Sequence, residues 1–209
     1  LHSFFSVVAN DALLALIAEA QRWYLAPLLA DGPWAGLPLL SAAAPFKAGG
    51  RMGPDAFVDL PAGPLALRNI ADIYGYTNTV QAVRLTGDGV REWLEKSACV
   101  FNLITPGGAD QPLLDDGTPR YNFDVLFGVS YRIDPSQPAR YDRDGQLTHP
   151  DHRRISDLRY RGQPIDPAMS FIIATNSYRA AGSGNYPGLG PAAIVLECPE
   201  TNREAIVRY

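Results

Sequence analysis

Histidine is scarce in this chain, with three residues in 209, and cysteine and methionine number two each. So few imidazoles argue against a hydrolytic centre built on two metals, which needs a crowd of histidine and carboxylate ligands. Two cysteines, Cys99 and Cys198, cannot form a zinc site alone. A disulfide needs only two, but two partly buried thiols are the plainer reading. No apolar run reaches the roughly 18 residues of a membrane-crossing helix, so none is expected; the longest stretches are broken by Asn10, Asp11, Glu19 or Arg22. A basic excess is missing too. Eighteen Lys and Arg against 22 Asp and Glu leave a net charge of −4. That speaks against a nucleic-acid polymer as partner. A single nucleotide stays open, because one local arginine can hold a phosphate.

What is present is ample apolar matter. The hydrophobic share is 46% and the charged share 19%, so a real core is available and neither disorder nor a coiled coil fits. The length suits one ordinary domain, or two small ones at most. Nineteen glycines and 18 prolines predict many turns and long loops rather than a helical bundle.

Leu13, Leu16, Ile17 and Ala20 recur at helical spacing behind Asn10 or Asp11 as N-cap, and Pro27 followed by Gly32-Pro33 closes that helix. Residues 37–44 form a short apolar run that suits a buried strand. Residues 69–74 suit a short helix, and 78–85, rich in Val and Thr, a strand. The clearest helix is 86–101, with Val90, Trp93, Leu94, Ala98 and Phe101 on one stripe and Thr86 or Asp88 as cap. Residues 105–119 read as loop, 123–133 as strand and 135–150 as irregular. Residues 155–161 and 169–174 read as two strands of a hairpin-like pair around Arg161-Gly162-Gln163-Pro164, and 194–196 as a last strand. Thr201 and Glu204 make a capping box for a final short helix. The chain starts at Leu1 and stops at Tyr209, soon after that cap; it is expected to be a piece of a longer protein.

Several segments could hold chemistry. His149, Asp151 and His152 could bind a metal, but their spacing fits no helix face and Arg153 and Arg154 flank them, so a solvated turn is the stronger reading. Residues 182–190, GSGNYPGLG, resemble a phosphate loop only in glycine content. In PFKAGGR (45–51), paired glycines set Lys47 and Arg51 on a turn suited to an anionic oxygen, and equally to a plain exposed basic turn. YGYTNT (74–79) and NSYRAAGSGNY (176–186) place tyrosines among small polar residues. Such rings can stack on flat heterocycles, but by spacing alone a core edge with wet hydroxyls is the better reading.

Taken together and in order, LPLLSAAAPFKAGGR (37–51), LRNIADIYGYTNTV (67–80), TGDGVREWLEKSA (86–98), YNFDVLFGVSYRIDPSQPARYD (121–142) and IDPAMSFIIATNSYRAAGSGNYPGL (165–189) resemble a known family. It is the C-terminal domain of the bifunctional 2′,3′-cyclic-nucleotide 2′-phosphodiesterase/3′-nucleotidases, a branch of the bacterial 5′-nucleotidase family. With the element reading, the resemblance implies an α+β fold, a mixed β-sheet with packed helices, over 1–209 as a single substrate-specificity domain.

It further implies a periplasmic hydrolase, although the chain itself has no signal peptide. Its N-terminal metallophosphoesterase domain, absent here, would hold two divalent metal ions and carry out the hydrolysis. The present chain would bind neither metal nor cofactor and be inactive alone. Its partners would be nucleosides, mononucleotides and that N-terminal domain in cis, with no nucleic-acid polymer and no membrane. By position, the family's two base-clamping aromatics fall on Tyr76 and Tyr178. Asn78 matches a position that hydrogen-bonds the base, and Arg51 an arginine near ribose or phosphate. Asn122, Asp124 and the backbone at Gly182 are weaker matches. The chain departs from the 5′-nucleotidase/UDP-sugar hydrolase branch at residues 182–187. Gly-Gly-Asp-Gly-Tyr-Pro stands there in that branch, whereas this chain has Gly-Ser-Gly-Asn-Tyr-Pro and so lacks the acidic residue. That branch is the alternative enzyme class, and a non-catalytic nucleoside-binding module the other alternative.

Overall fold

The computed structural model describes residues 1–9 and 11–209. The chain runs α1 (Ala12–Leu25), β1 (Leu39–Ala43), α2 (Leu67–Ile73), β2 (Thr79–Thr86), α3 (Gly87–Ser97), β3 (Val125–Phe127) and β4 (Val129–Ile133). It continues through β5 (Ile155–Tyr160), β6 (Gln163–Pro164), β7 (Ser170–Asn176), α4 (Ser177–Ala180), β8 (Ile194–Thr201) and α5 (Asn202–Arg208). Five strands form a mixed sheet in the order β3-β1-β7-β2-β8, with β1 and β7 parallel and the other pairs antiparallel. Strands β4, β5 and β6 form a second, antiparallel sheet. The α+β class with a mixed sheet is therefore the observed one.

The helix caps follow the expected chemistry. Asp11 Oδ1 accepts from the Leu13 and Leu14 N–H groups at 2.7 and 3.4 Å, satisfying donors that the first turn leaves orphaned. The alternative cap, Asn10, lies outside the described residues. Thr86 Oγ1 accepts from Gly89 N–H at 3.2 Å and starts α3. At α5 the capping box closes both ways between Thr201 and Glu204.

Alternation along the central strands explains the layering. Leu40, Ala42, Val83, Phe171 and Ile173 point to one face, where they pack with Val90, Trp93 and Leu94 of α3 and with Ile155 and Leu158 of the small sheet. Val80, Ala82, Ile172 and Ala174 point to the other, against Leu25 of α1 and Ala205 of α5. Both faces of β7 are covered, which is why Phe171 to Ala174 read as a continuous apolar run.

Two sequence expectations are corrected. Residues 123–133 are not one strand. At Gly128, φ is +100°, a backbone state that side chains other than hydrogen rarely tolerate; the chain turns there and passes from the large sheet to the small one. Nor do 155–161 and 169–174 form a hairpin. The turn Arg161-Gly162, left-handed at both positions (φ 50° and 78°), joins β5 to the two-residue β6, as a two-residue hairpin turn demands. Strand β7 goes instead to the centre of the large sheet, between β1 and β2.

Gly128→Ala is expected to destabilise the fold by about 1–3 kcal/mol, through the φ strain and a new Cβ only 2.7 Å from Leu40 Cδ2. Thermal denaturation should show a fall of a few degrees; an unchanged midpoint would contradict the role given to this turn.

Candidate functional site

The antiparallel pairing of β2 with β7 sets Val80 opposite Asn176. The residues just before β2 and just after β7 therefore emerge side by side at one end of the sheet. Tyr76 and Asn78 come from the first segment, Asn176 and Tyr178 from the second, and all four line one cleft of about 140 Å³ together with Phe46, Tyr121 and Arg179. The junction is pinned by Thr79 N–H donating to Ser177 Oγ at 3.2 Å. A larger hollow of about 640 Å³, lined by Val7, Phe123, Gly128 and Tyr131 among others, contains none of the predicted residues.

Each of the two predicted tyrosines is braced by a second ring. Tyr76 packs on Phe46 with centroids 5.2 Å apart, and Phe46 in turn meets Tyr74 at 4.5 Å. Tyr178 meets Tyr121 edge-on at 6.3 Å. Tyr76 and Tyr178 nevertheless keep 44% and 42% of their surfaces exposed. Rings that are oriented from behind and open in front offer flat apolar faces at little entropic cost.

Behind Tyr178 lies a buried polar hub. Arg179 is 2% exposed and Asp124 4%. Arg179 Nε donates to Asp124 Oδ2 at 2.7 Å, and its Nη2 donates to the Tyr121 carbonyl at 2.8 Å and to Asn122 Oδ1 at 3.3 Å. Its Nη1 donates to the Ser183 carbonyl, and the guanidinium lies 4.0 Å from the centre of the Tyr186 ring. Asp124 Oδ2 also accepts from Trp93 Nε1 at 2.8 Å. Burial alone would lower the Arg179 pKa; the Asp124 carboxylate more than reverses this, so the guanidinium stays charged. Burial also pushes the Tyr186 phenol up, keeping it neutral.

The loop 74–78 is held from the opposite side by α5. Arg203 Nε donates to the Tyr74 carbonyl at 2.7 Å. The Asn78 carbonyl accepts from both the backbone and the side-chain amide of Asn202, each at 3.0 Å. Asn202 Oδ1 accepts from Gln21 Nε2 at 2.8 Å, and Gln21 Oε1 accepts from Ser41 Oγ at 2.7 Å. One buried chain of hydrogen bonds thus ties the Asn78 backbone to α5, α1 and β1.

Of the predicted site residues, Tyr76, Asn78 and Tyr178 share the cleft. Asn122 and Asp124 are buried one layer behind it, on Arg179. Gly182 ends α4 with its N–H on the Arg179 carbonyl at 3.0 Å and does not line the cleft. Neither does Arg51, which stands exposed on the turn Gly50–Met52. Lys47 is engaged by Asp72. His149 and His152 sit on an exposed turn, His152 N–H bonding the His149 carbonyl at 3.1 Å. Cys99 and Cys198 are buried thiols. Among the described residues, no three His, Cys, Asp or Glu side chains gather as metal ligands.

Comparison with known proteins now adds to the geometry. The family model described as 5′-nucleotidase, C-terminal domain, matches residues 5–190. The chain belongs to this family. As a 5′-nucleotidase C-terminal domain it is 42% identical over 215 residues to the 2′,3′-cyclic-nucleotide 2′-phosphodiesterase/3′-nucleotidase of Haemophilus influenzae, covering 100% of this chain and 32% of that protein. It is 44% identical over 210 residues to the trifunctional nucleotide phosphoesterase protein YfkN of Bacillus subtilis, covering 100% of this chain and 14% of that one. The chain therefore spans a third or less of these relatives. The fold is shared with a 5′-nucleotidase precursor from Thermus thermophilus, at a TM-score of 0.63 and 16% identity, covering 93% of this domain and 31% of that chain.

Sequence reasoning missed Phe46, Tyr121, Asn176 and Arg179 as cleft residues, and Asn202 and Arg203 as its anchors. Asp124 lies inside the apolar stretch Phe123–Phe127, a setting in which a charge must be paired if it is buried. Arg179, among Asn176, Ser177 and Tyr178 on one side and Ala180 to Gly182 on the other, has no comparable local signal. The domain should lose about 3–5 kcal/mol on Arg179→Ala, because Asp124 is left charged and buried without its partner. Urea denaturation checks this; a loss under about 1 kcal/mol, the range of an exposed pair, would contradict it.

Proposed function

We propose that this chain is the nucleoside-binding part of a nucleotide hydrolase, with the heterocycle held between the rings of Tyr76 and Tyr178. The observation that supports this most is the meeting of Tyr76, Asn78, Asn176 and Tyr178 in one cleft, although Tyr76 and Tyr178 are far apart along the chain. Stacking is tolerant of base identity, because every base has a π-face, and is worth roughly 1–3 kcal/mol per base. Asn78 adds a polar group at the edge of the ring. Arg51, exposed on the turn Gly50–Met52 and outside the cleft lining, is assigned to the ribose or phosphate.

The reaction class follows the relatives' names. The full-length protein would open 2′,3′-cyclic nucleotides to 3′-nucleotides and dephosphorylate 3′-nucleotides to nucleosides. The hydrolytic step is assigned to an N-terminal metallophosphoesterase domain in cis that carries two divalent metals. The residues described here bind the nucleoside and hold its phosphate end in position, which lowers the entropic part of the barrier. The 209-residue chain alone would bind nucleosides and hydrolyse nothing. The reading includes a periplasmic location for the whole protein. No helix among the described residues is long and apolar enough to cross a membrane.

Calorimetric titration with adenosine tests the binding. Tyr76→Ala and Tyr178→Ala are each expected to weaken affinity by roughly 5- to 150-fold, with little change in thermal midpoint, since both rings are partly exposed. Unchanged affinity removes that tyrosine from the site. For the chemistry, the full-length protein should turn over 2′,3′-cyclic AMP and 3′-AMP in preference to 5′-AMP; the reverse order overturns the assignment. Turnover of 3′-AMP by the purified 209-residue chain would show that the catalytic groups lie here after all.

A further inference from the structure

Of the described residues that line the cleft, Arg179 alone carries a charge. An arginine in a protein stays protonated. Its guanidinium lies over the Tyr178 ring, 5.7 Å from the centroid. The face of a phenol ring attracts cations through its quadrupole. On Tyr178 a resident cation already uses that attraction.

The charge is offset only from behind. Asp124, which accepts from Arg179 Nε at 2.7 Å, is 4% exposed and does not line the cleft. Lys47, next to the cleft residue Phe46, is paired with Asp72. No carboxylate enters from the glycine-rich loop either. A Cβ at Gly184 would stand 2.2 Å from Arg179 Nη1 and 2.8 Å from Asn122 Oδ1, so the space beside the guanidinium has no room for a side chain at that position. A heterocycle between the tyrosines therefore meets a guanidinium and the neutral carboxamides of Asn78 and Asn176.

We propose that Arg179 is a specificity-determining residue that makes the cleft select uncharged heterocycles and reject cationic ones, such as N-alkylated purinium or pyridinium rings. This rests on the nucleoside reading and narrows it: base identity is tolerated, positive charge on the base is not. A cation stacked on Tyr178 would lie close to a like charge, partly out of water, with no carboxylate in the cleft to offset it. Two tyrosines without the arginine would favour the cation, so the sign of the preference reports the arginine.

The test titrates the 209-residue chain calorimetrically in mildly acidic buffer. The ligands are 7-methylguanosine, whose ring is then cationic, and 7-methyl-7-deazaguanosine, an uncharged compound of the same shape. The uncharged compound should bind roughly 5- to 30-fold more tightly. Equal affinity, or tighter binding of the cation, overturns the proposal and leaves the nucleoside reading standing. Failure of the uncharged compound to bind counts against the base-tolerant nucleoside reading itself, and this inference falls with it. The paired variant Arg179→Gln with Asp124→Asn removes both charges and keeps hydrogen-bonding groups at both positions. Its affinity ratio should move toward the cation by roughly fivefold or more; a folded variant with the wild-type ratio removes Arg179 as the cause and overturns the proposal. The wild-type comparison decides whether or not that variant folds.

Discussion

The Arg179 guanidinium and the Asp124 carboxylate form the ion pair on which the cleft depends. Both are nearly free of solvent contact, and taking such charges out of water costs several kcal/mol per ion unless their bonding is complete. Here it is close to complete: Arg179 reaches Asp124, Asn122 and the carbonyls of Tyr121 and Ser183, while Asp124 also receives the Trp93 indole N–H. The partners come from α3, the segment that leads into β3, and the glycine-rich loop after α4. One cluster therefore fixes the three pieces of chain behind Tyr178 and Tyr121, and the direction in which Tyr178 points follows from it.

The other wall is held by different means. The loop of Tyr76 is fixed through backbone carbonyls, by Arg203 and Asn202 of α5. Its ring leans on Phe46, which leans on Tyr74. The two walls are thus anchored to separate parts of the core and are joined by the β2–β7 pairing and by the Thr79–Ser177 hydrogen bond beside it.

Local signals made much of this legible in the sequence. The helix of Trp93, the capping box of Thr201 and Glu204, and the buried strands on either side of Tyr76 and Tyr178 all follow from periodicity, capping and apolar runs. The two faults in the fold have a common cause. Whether β5 pairs with β6 or with β7, and where residues 123–133 change sheets, are decided by non-local packing and by one glycine in a left-handed conformation. A run of β-branched and aromatic residues says nothing about its partner. Tyr76, Asn78 and Tyr178, which share the cleft, are singled out by family resemblance, because spacing alone favours a core edge. Phe46 and Tyr121 lie within segments already singled out, but attention there fell on Lys47, Arg51, Asn122 and Asp124. The positioning roles of Asn202 and Arg203 depend on contacts across more than 120 residues and had no local signature.

The central claim is that a flat heterocycle lies between Tyr76 and Tyr178. Nuclear Overhauser spectroscopy of the 209-residue chain with bound adenosine tests it most directly. The account predicts contacts from the adenine H2 and H8 protons to the ring protons of both tyrosines in the same complex. Adenosine that binds yet shows contacts to only one of those rings, or to neither, would contradict it.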